Sequence, residues 1–189
     1  DETLMKKFLD DCQSKLWSNS KTYDSFYDDC KEMYETKTKQ RLTKLFDSEL
    51  DKVKFINGVE VKPIEVMLDK IDWSGIYSKS VPTLFHGDLQ PENVIYDDKK
   101  NSDVYYDLSK IYHAMLINGQ TIMKNMFDFT RIGTSVTLDF YAKSNLILFM
   151  NIFNQFCQDS NYSWQNVELL GILHYLNICT LYDNFKGGK

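Results

Sequence analysis

The chain has 189 residues, a net charge of −5 and a pI near 5.2, a balance that excludes a nucleic-acid groove, where basic side chains must neutralise phosphates. Hydrophobic residues make up 43% and charged residues 26%, which excludes a disordered chain and leaves enough apolar material for a buried core. No apolar run approaches the ~20 residues of a membrane span.

In chain order, Leu4, Met5, Phe8, Leu9, Cys12 and Leu16 recur at helical spacing and predict an amphipathic helix over residues 3–17. Phe26, Tyr27, Cys30 and Tyr34 predict a second helix, and Arg41 to Leu50 a third. At Phe55-Ile56-Asn57-Gly58-Val59-Glu60-Val61 the pattern changes, because apolar residues flank an Asn-Gly pair that favours a tight hairpin. Pro63 to Ile71 resumes helix, with Pro63 suited to a first turn. Asn93 to Asp97 has the β-branched content of a short strand, and Asp98-Lys99-Lys100-Asn101 that of a turn. Ser102-Asp103 is expected to begin the next helix, carried on by Tyr105, Leu108, Ile111, Tyr112, Met115 and Leu116. Helices over 138–158 and 165–183 close the chain. The expected fold class is mainly α with a small β component, with short hairpins near residues 55–61 and 80–110.

Cys12, Cys30, Cys157 and Cys179 are scattered, without a CxxC pair or a Cys/His cluster, and each falls on an apolar helix stripe. Buried, reduced thiols are expected, together with a cytoplasmic location, since Asp1-Glu2-Thr3 also lacks the basic and apolar regions of a signal peptide.

One segment has chemistry that packing does not explain. Phosphoryl transfer needs a carboxylate to orient the attacking hydroxyl and accept its proton, and metal ligands to neutralise the phosphates. In the kinase pattern an Asp supplies the first and an Asn five residues later the second, on a loop that turns back into a strand. Asp88 and Asn93 have that spacing, and Val94-Ile95-Tyr96 would be the strand.

His86-Gly87-Asp88-Leu89 followed by Asn93 resembles the HGDLxxxN signature of the aminoglycoside/choline phosphotransferase family of small-molecule kinases. Asp103-Val104-Tyr105-Tyr106-Asp107-Leu108-Ser109 is similar to the D-x-x-x-D-[LI]-[AS] segment that opens the next long helix there. The resemblance covers about residues 60–183 and is most specific over 80–110. It implies the helical C-terminal lobe of a protein-kinase-like fold as a single unit over 1–189, with the nucleotide lobe lying outside this chain. It implies Asp88 as catalytic base, Asn93 as metal ligand and Gln90 as a contact to the nucleotide phosphate. His86 and Asp107 would support the loop, Asp107 by accepting backbone N–H groups. The implied cofactors are ATP (or GTP) and Mg²⁺, and the partners a nucleotide and a small alcohol: an amino alcohol such as choline, a sugar or an aminoglycoside, by analogy in cell-surface polysaccharide synthesis. Gly87 stands where protein kinases carry the Arg that pairs with a phosphorylated activation loop, which points away from that form of control.

The chain departs from the family in two respects: it has no glycine-rich loop and no strand Lys for the nucleotide phosphates, and a metal-binding Asp is missing from its expected place. The family places a second metal-binding Asp in an apolar-Ile-Asp pattern after the strand of the Asn, whereas here Asp97-Asp98-Lys99-Lys100-Asn101 runs directly into Ser102-Asp103. Two alternatives to an active kinase therefore stay open: a pseudokinase or binding module without that ligand, and a helical scaffold in which the motif is coincidental.

Overall fold

A computed structural model gives the fold over residues 2–89, 101–117 and 119–181. Helix α1 (Glu2–Cys12) runs on into a π-helical turn over Gln13–Trp17, so a helix does occupy the expected span. The wider turn has a physical consequence: hydrogen bonding from i to i+5 brings Trp17 onto the side of Cys12, and both are buried.

Helix α2 (Phe26–Lys31), a second π turn (Glu32–Thr36), α3 (Lys37–Leu42) and a 3₁₀ turn (Thr43–Leu45) form one continuous helical run. The separate helix expected from Arg41 to Leu50 is therefore corrected. Helix stops at Leu45, and Asp47 has a φ of 58°, which a right-handed helix cannot contain. Strands β1 (Phe55–Ile56) and β2 (Val59–Glu60) form the expected hairpin, with Asn57 (φ 48°) and Gly58 (φ 78°) both in the left-handed region that a tight primed turn requires. Short helices α4 (Ile64–Leu68) and α5 (Trp73–Tyr77) follow.

Strand β3 (Pro82–Leu84) pairs antiparallel with β4 (Asn101–Asp103), in the register Pro82↔Asp103, Thr83↔Ser102 and Leu84↔Asn101. Ser102-Asp103 thus belongs to a strand and not to a helix start. Asp103 keeps extended dihedrals (φ −82°, ψ 132°), and helix α6 (Val104–Leu116) begins one residue later. The strand expected at Asn93 to Asp97 lies outside the described residues.

After α7 (Gly119–Met123), strands β5 (Phe127–Ile132) and β6 (Ser135–Phe140) make a hairpin that the helix expected over 138–158 had partly absorbed. The period there is two: Phe127 faces Phe140 and Phe129 faces Leu138, while Gly133 turns the chain at a φ of 59°. Helix α8 (Ser144–Asp159) begins only after this hairpin, and α9 (Trp164–Cys179) is the last element among the described residues. Strand β1 runs parallel to β6, joining the two hairpins into one sheet of order β2-β1-β6-β5. Asn57 extends that pairing with its side chain, donating to the Leu138 carbonyl (2.9 Å) and accepting from the Leu138 N–H (2.8 Å).

The core lies between α6, α8, α9 and the two N-terminal helical runs, with Leu108, Ile111, Phe153, Cys157 and Val167 almost fully buried at its centre. Helix α9 approaches α6 closely at Gly171, where a Cβ would stand 2.5 Å from Tyr112 Cδ1 and 3.3 Å from the Ser109 carbonyl oxygen. Cys12, Cys30 and Cys157 are buried free thiols, each pushed up to about 12 chiefly by desolvation. Cys179 is also a free thiol, but exposed, against the expectation of burial. Among the described residues no helix is long and apolar enough to cross a membrane. The fold is mainly α with a small β component.

Candidate active site

The His86-Gly87-Asp88 loop leaves β3 with its backbone N–H groups turned toward the first turn of α6. A buried N–H without an acceptor costs a large part of a hydrogen bond, so the loop needs a partner there. Asp107 is that partner: Oδ2 accepts from the His86 N–H at 2.7 Å and Oδ1 from the Gly87 N–H at 2.9 Å. Trp17 Nε1, brought over by the π turn, donates to the same Oδ2 at 3.2 Å. The carboxylate has no solvent exposure; desolvation raises its pKa, and these donors oppose the shift. The conformation also requires glycine at 87, since its φ is +85° and a Cβ would sit 3.3 Å from the Phe85 ring.

A second buried carboxylate, to which the sequence reading assigned no role, holds the other end of β3. Asp103 Oδ1 accepts from the Val81 N–H at 2.8 Å, and Oδ2 from Tyr34 OH at 2.8 Å and Ser80 Oγ at 2.9 Å. Burial raises the pKa of Asp103 as well. Strand β3 is therefore gripped at both ends by carboxylates four residues apart, at the start of one helix.

Asp88 is only half-buried, its side chain 49% exposed, and Oδ1 meets Lys110 Nζ at 3.1 Å. The His86 ring folds back on its own loop, with Nδ1 accepting from the Asp88 N–H at 3.4 Å. Leu89 is buried and ties the loop to the core. Behind Lys110 stand His113 and His174, held neutral by burial: His174 is pushed down to about 3 and His113 to about 4. Ser109 Oγ donates to the Tyr106 carbonyl (2.8 Å) and lies 2.9 Å from His174 Nε2. Among the described residues, neither ring nitrogen of His113 meets a hydrogen-bond partner.

Of the residues singled out from the sequence, His86, Asp88 and Asp107 thus come together, while Gln90 and Asn93 lie outside the described residues. Trp17 and Lys110 were missed, and Asp103 was matched in the motif without a role. The spacing of Asp103, Asp107 and Lys110 (i, i+4, i+7) was the available signal, since it puts the last two on one helix face with the first at its start.

Among the described residues no group of three or more Asp, Glu, His or Cys side chains could hold a metal ion, and Asp103 and Asp107 are committed to the donors named above. Asn93 remains the residue to which the resemblance gives Mg²⁺. No protein-family model, curated protein or solved structure matches the chain.

Proposed function

We propose that this chain is the helical lobe of a protein-kinase-like phosphotransferase that moves the γ-phosphoryl group of ATP (or GTP) to the hydroxyl of a small molecule. The supporting observation is the grip of Asp107 on the backbone of His86 and Gly87, which holds the loop while leaving Asp88 half-exposed. A base must be held within a fraction of an ångström and still reach solvent-borne substrate, and this arrangement meets both demands. The acceptor hydroxyl would give its proton to the Asp88 carboxylate as its oxygen bonds to the γ-phosphorus, and the nucleoside diphosphate would leave with the bridging oxygen. Gln90 is assigned to the nucleotide phosphates and Asn93 to Mg²⁺ by resemblance. The acceptor class is an amino alcohol, a sugar or an aminoglycoside, with a cytoplasmic setting.

A second reading, a nucleotide-binding or partner-binding module without turnover, is favoured by one observation. Asp103 closes the strand that leads into α6, yet both its oxygens accept hydrogen bonds inside the core, so it does not replace the absent metal Asp.

The test is ATP consumption by the full-length protein with Mg²⁺ against a panel of amino alcohols, sugars and aminoglycosides. Asp88→Asn is expected to keep the melting temperature and lower turnover by roughly 10²–10⁴. Turnover unchanged in that variant would remove Asp88 as the base. Nucleotide-dependent thermal stabilisation without turnover of any acceptor would favour the binding module.

A further inference from the structure

Lys110 is an unusual cation for a helix so close to a loop. Its side chain is only 14% exposed, although an ammonium is costly to remove from water without compensation. The compensation is visible on two sides. Nζ lies 3.1 Å from Asp88 Oδ1, and 5.7 Å from the centroid of the Tyr106 ring, whose π face favours a cation. Tyr106 is itself held edge-to-face by Phe85 and by His174. The Lys110 ammonium is therefore set by a braced aromatic ring on its own helix, and the loop carboxylate comes to it.

Exposed ion pairs have little influence because two long side chains must be ordered for a weak, screened attraction. Here the lysine is already ordered by burial, and only the short Asp88 side chain remains to be aligned. Asp107 fixes the backbone of the loop through His86 and Gly87, and the Asp88 side-chain torsions are a separate degree of freedom, which the contact with Lys110 constrains. We propose that Lys110 is the positioning residue for Asp88: it holds one carboxylate oxygen from the helix side and balances its charge, so that the carboxylate presents to an acceptor in one orientation. This role rests on the phosphotransferase reading. The contact on which it depends does not.

The experiment is a double-mutant cycle on the full-length protein with Lys110→Met, Lys110→Arg and Asp88→Ala, read by steady-state phosphorylation of the panel acceptors and by thermal denaturation. Lys110→Met is expected to lower kcat roughly ten- to a hundredfold with little change in the KM for ATP, the signature of a misplaced base and not of lost nucleotide binding. Lys110→Arg, which keeps the cation, should recover most of that loss. In the Asp88→Ala background, Lys110→Met should cost nothing further, because the group it positions is gone. An equal loss in both backgrounds, or a loss confined to KM, would overturn the proposal. If no acceptor is phosphorylated by the unaltered protein, the phosphotransferase reading fails, and the melting temperatures judge the contact separately. A fall in melting temperature with Lys110→Met that shrinks in the Asp88→Ala background would keep the pairing of Lys110 with Asp88, and an identical fall in both would remove it.

Discussion

The two halves of helix α6 treat buried ionisable groups differently. At its start, Asp103 (the last residue of β4) and Asp107 of the first helical turn are fully enclosed, and several hydrogen-bond donors reach each carboxylate. In the second half, His113 is buried with both ring nitrogens unpartnered among the described residues, and its main company is the tilted ring of Tyr175, 4.0 Å away between centroids. The carboxylates accept from donors that include backbone N–H groups of the chain around β3, and those donors oppose the rise in pKa that burial causes. His113 has no such donors among the described residues, and burial holds it neutral. Buried carboxylates are thus concentrated where irregular backbone must be satisfied, and buried neutral polarity is tolerated where helix packs on helix.

Substituting each position separates these cases. The largest effect is expected at Asp107, since all three donors to it are N–H groups that cannot turn round to accept. In Asp107→Asn an amide NH₂ must face at least one of them, and a loss of about 3 kcal/mol is expected in denaturant unfolding, with loss of protection of the His86 and Gly87 amides in hydrogen exchange. Retained protection of those amides would show that the loop is held by something else.

Next comes Gly171 of α9, where that helix packs against Ser109 and Tyr112 of α6. Gly171→Ala would drive a methyl group into Tyr112 and toward the Ser109 carbonyl, and about 1–3 kcal/mol of destabilisation is expected. A neutral result would mean that the two helices move apart at little cost.

Asp103→Asn should cost less than Asp107→Asn, about 1 kcal/mol, for a chemical reason. Two of the donors at Asp103 are the hydroxyls of Tyr34 and Ser80, which can rotate to accept from an amide while the Asn oxygen keeps the Val81 N–H. If the two Asn variants lose equal stability, the distinction between hydroxyl and amide donors is not what governs these sites.

The smallest effect is expected at His113. Replacing it by Phe removes buried nitrogens without partners, so stability at pH 7 should change by less than about 1 kcal/mol. The pH dependence should change more. Because the folded pKa lies at about 4, below the ordinary 6.5, the unfolded chain binds the proton first as pH falls through that window. Stability from this group is complete above 6.5 and is lost toward about 4; His174 acts in the same sense, down to about 3. Asp103 and Asp107 act oppositely, since their raised folded pKa makes protonation in acid favour the fold. His113→Phe should therefore lose less stability than the unaltered protein between pH 6.5 and 4, as followed by urea unfolding at several pH values. An unaltered slope would place the His113 ring in contact with water.

Periodicity made some elements readable and hid others. Six apolar residues at helical spacing were enough for residues 3–17, and Asn57-Gly58 was enough for the first hairpin. The second hairpin was masked because Leu138 and Phe140 also suit the start of the apolar stripe of α8, although Gly133 between alternating residues was a usable signal. Ser102-Asp103 looked helical because it leads directly into the helical repeat of Tyr105, Leu108 and Ile111, and only its pairing with Pro82 and Thr83 makes it a strand. In the site, the resemblance drew attention to Asp107, while Trp17 was invisible: it lies ninety positions away in the chain and reaches Asp107 only through a π turn.

The sequence by itself determined which segments carry an apolar face, where the first tight turn falls, and that His86-Gly87-Asp88 is a chemically distinct loop. These are local properties, set by spacing along the chain and by which residues tolerate a positive φ. Only the tertiary structure decided which carboxylates are buried, which donors meet them, and that Lys110 faces Asp88. Burial and pairing depend on contacts between segments distant in sequence, and desolvation, which no single segment encodes, lowers the pKa of His113 and His174 and raises that of Asp103 and Asp107.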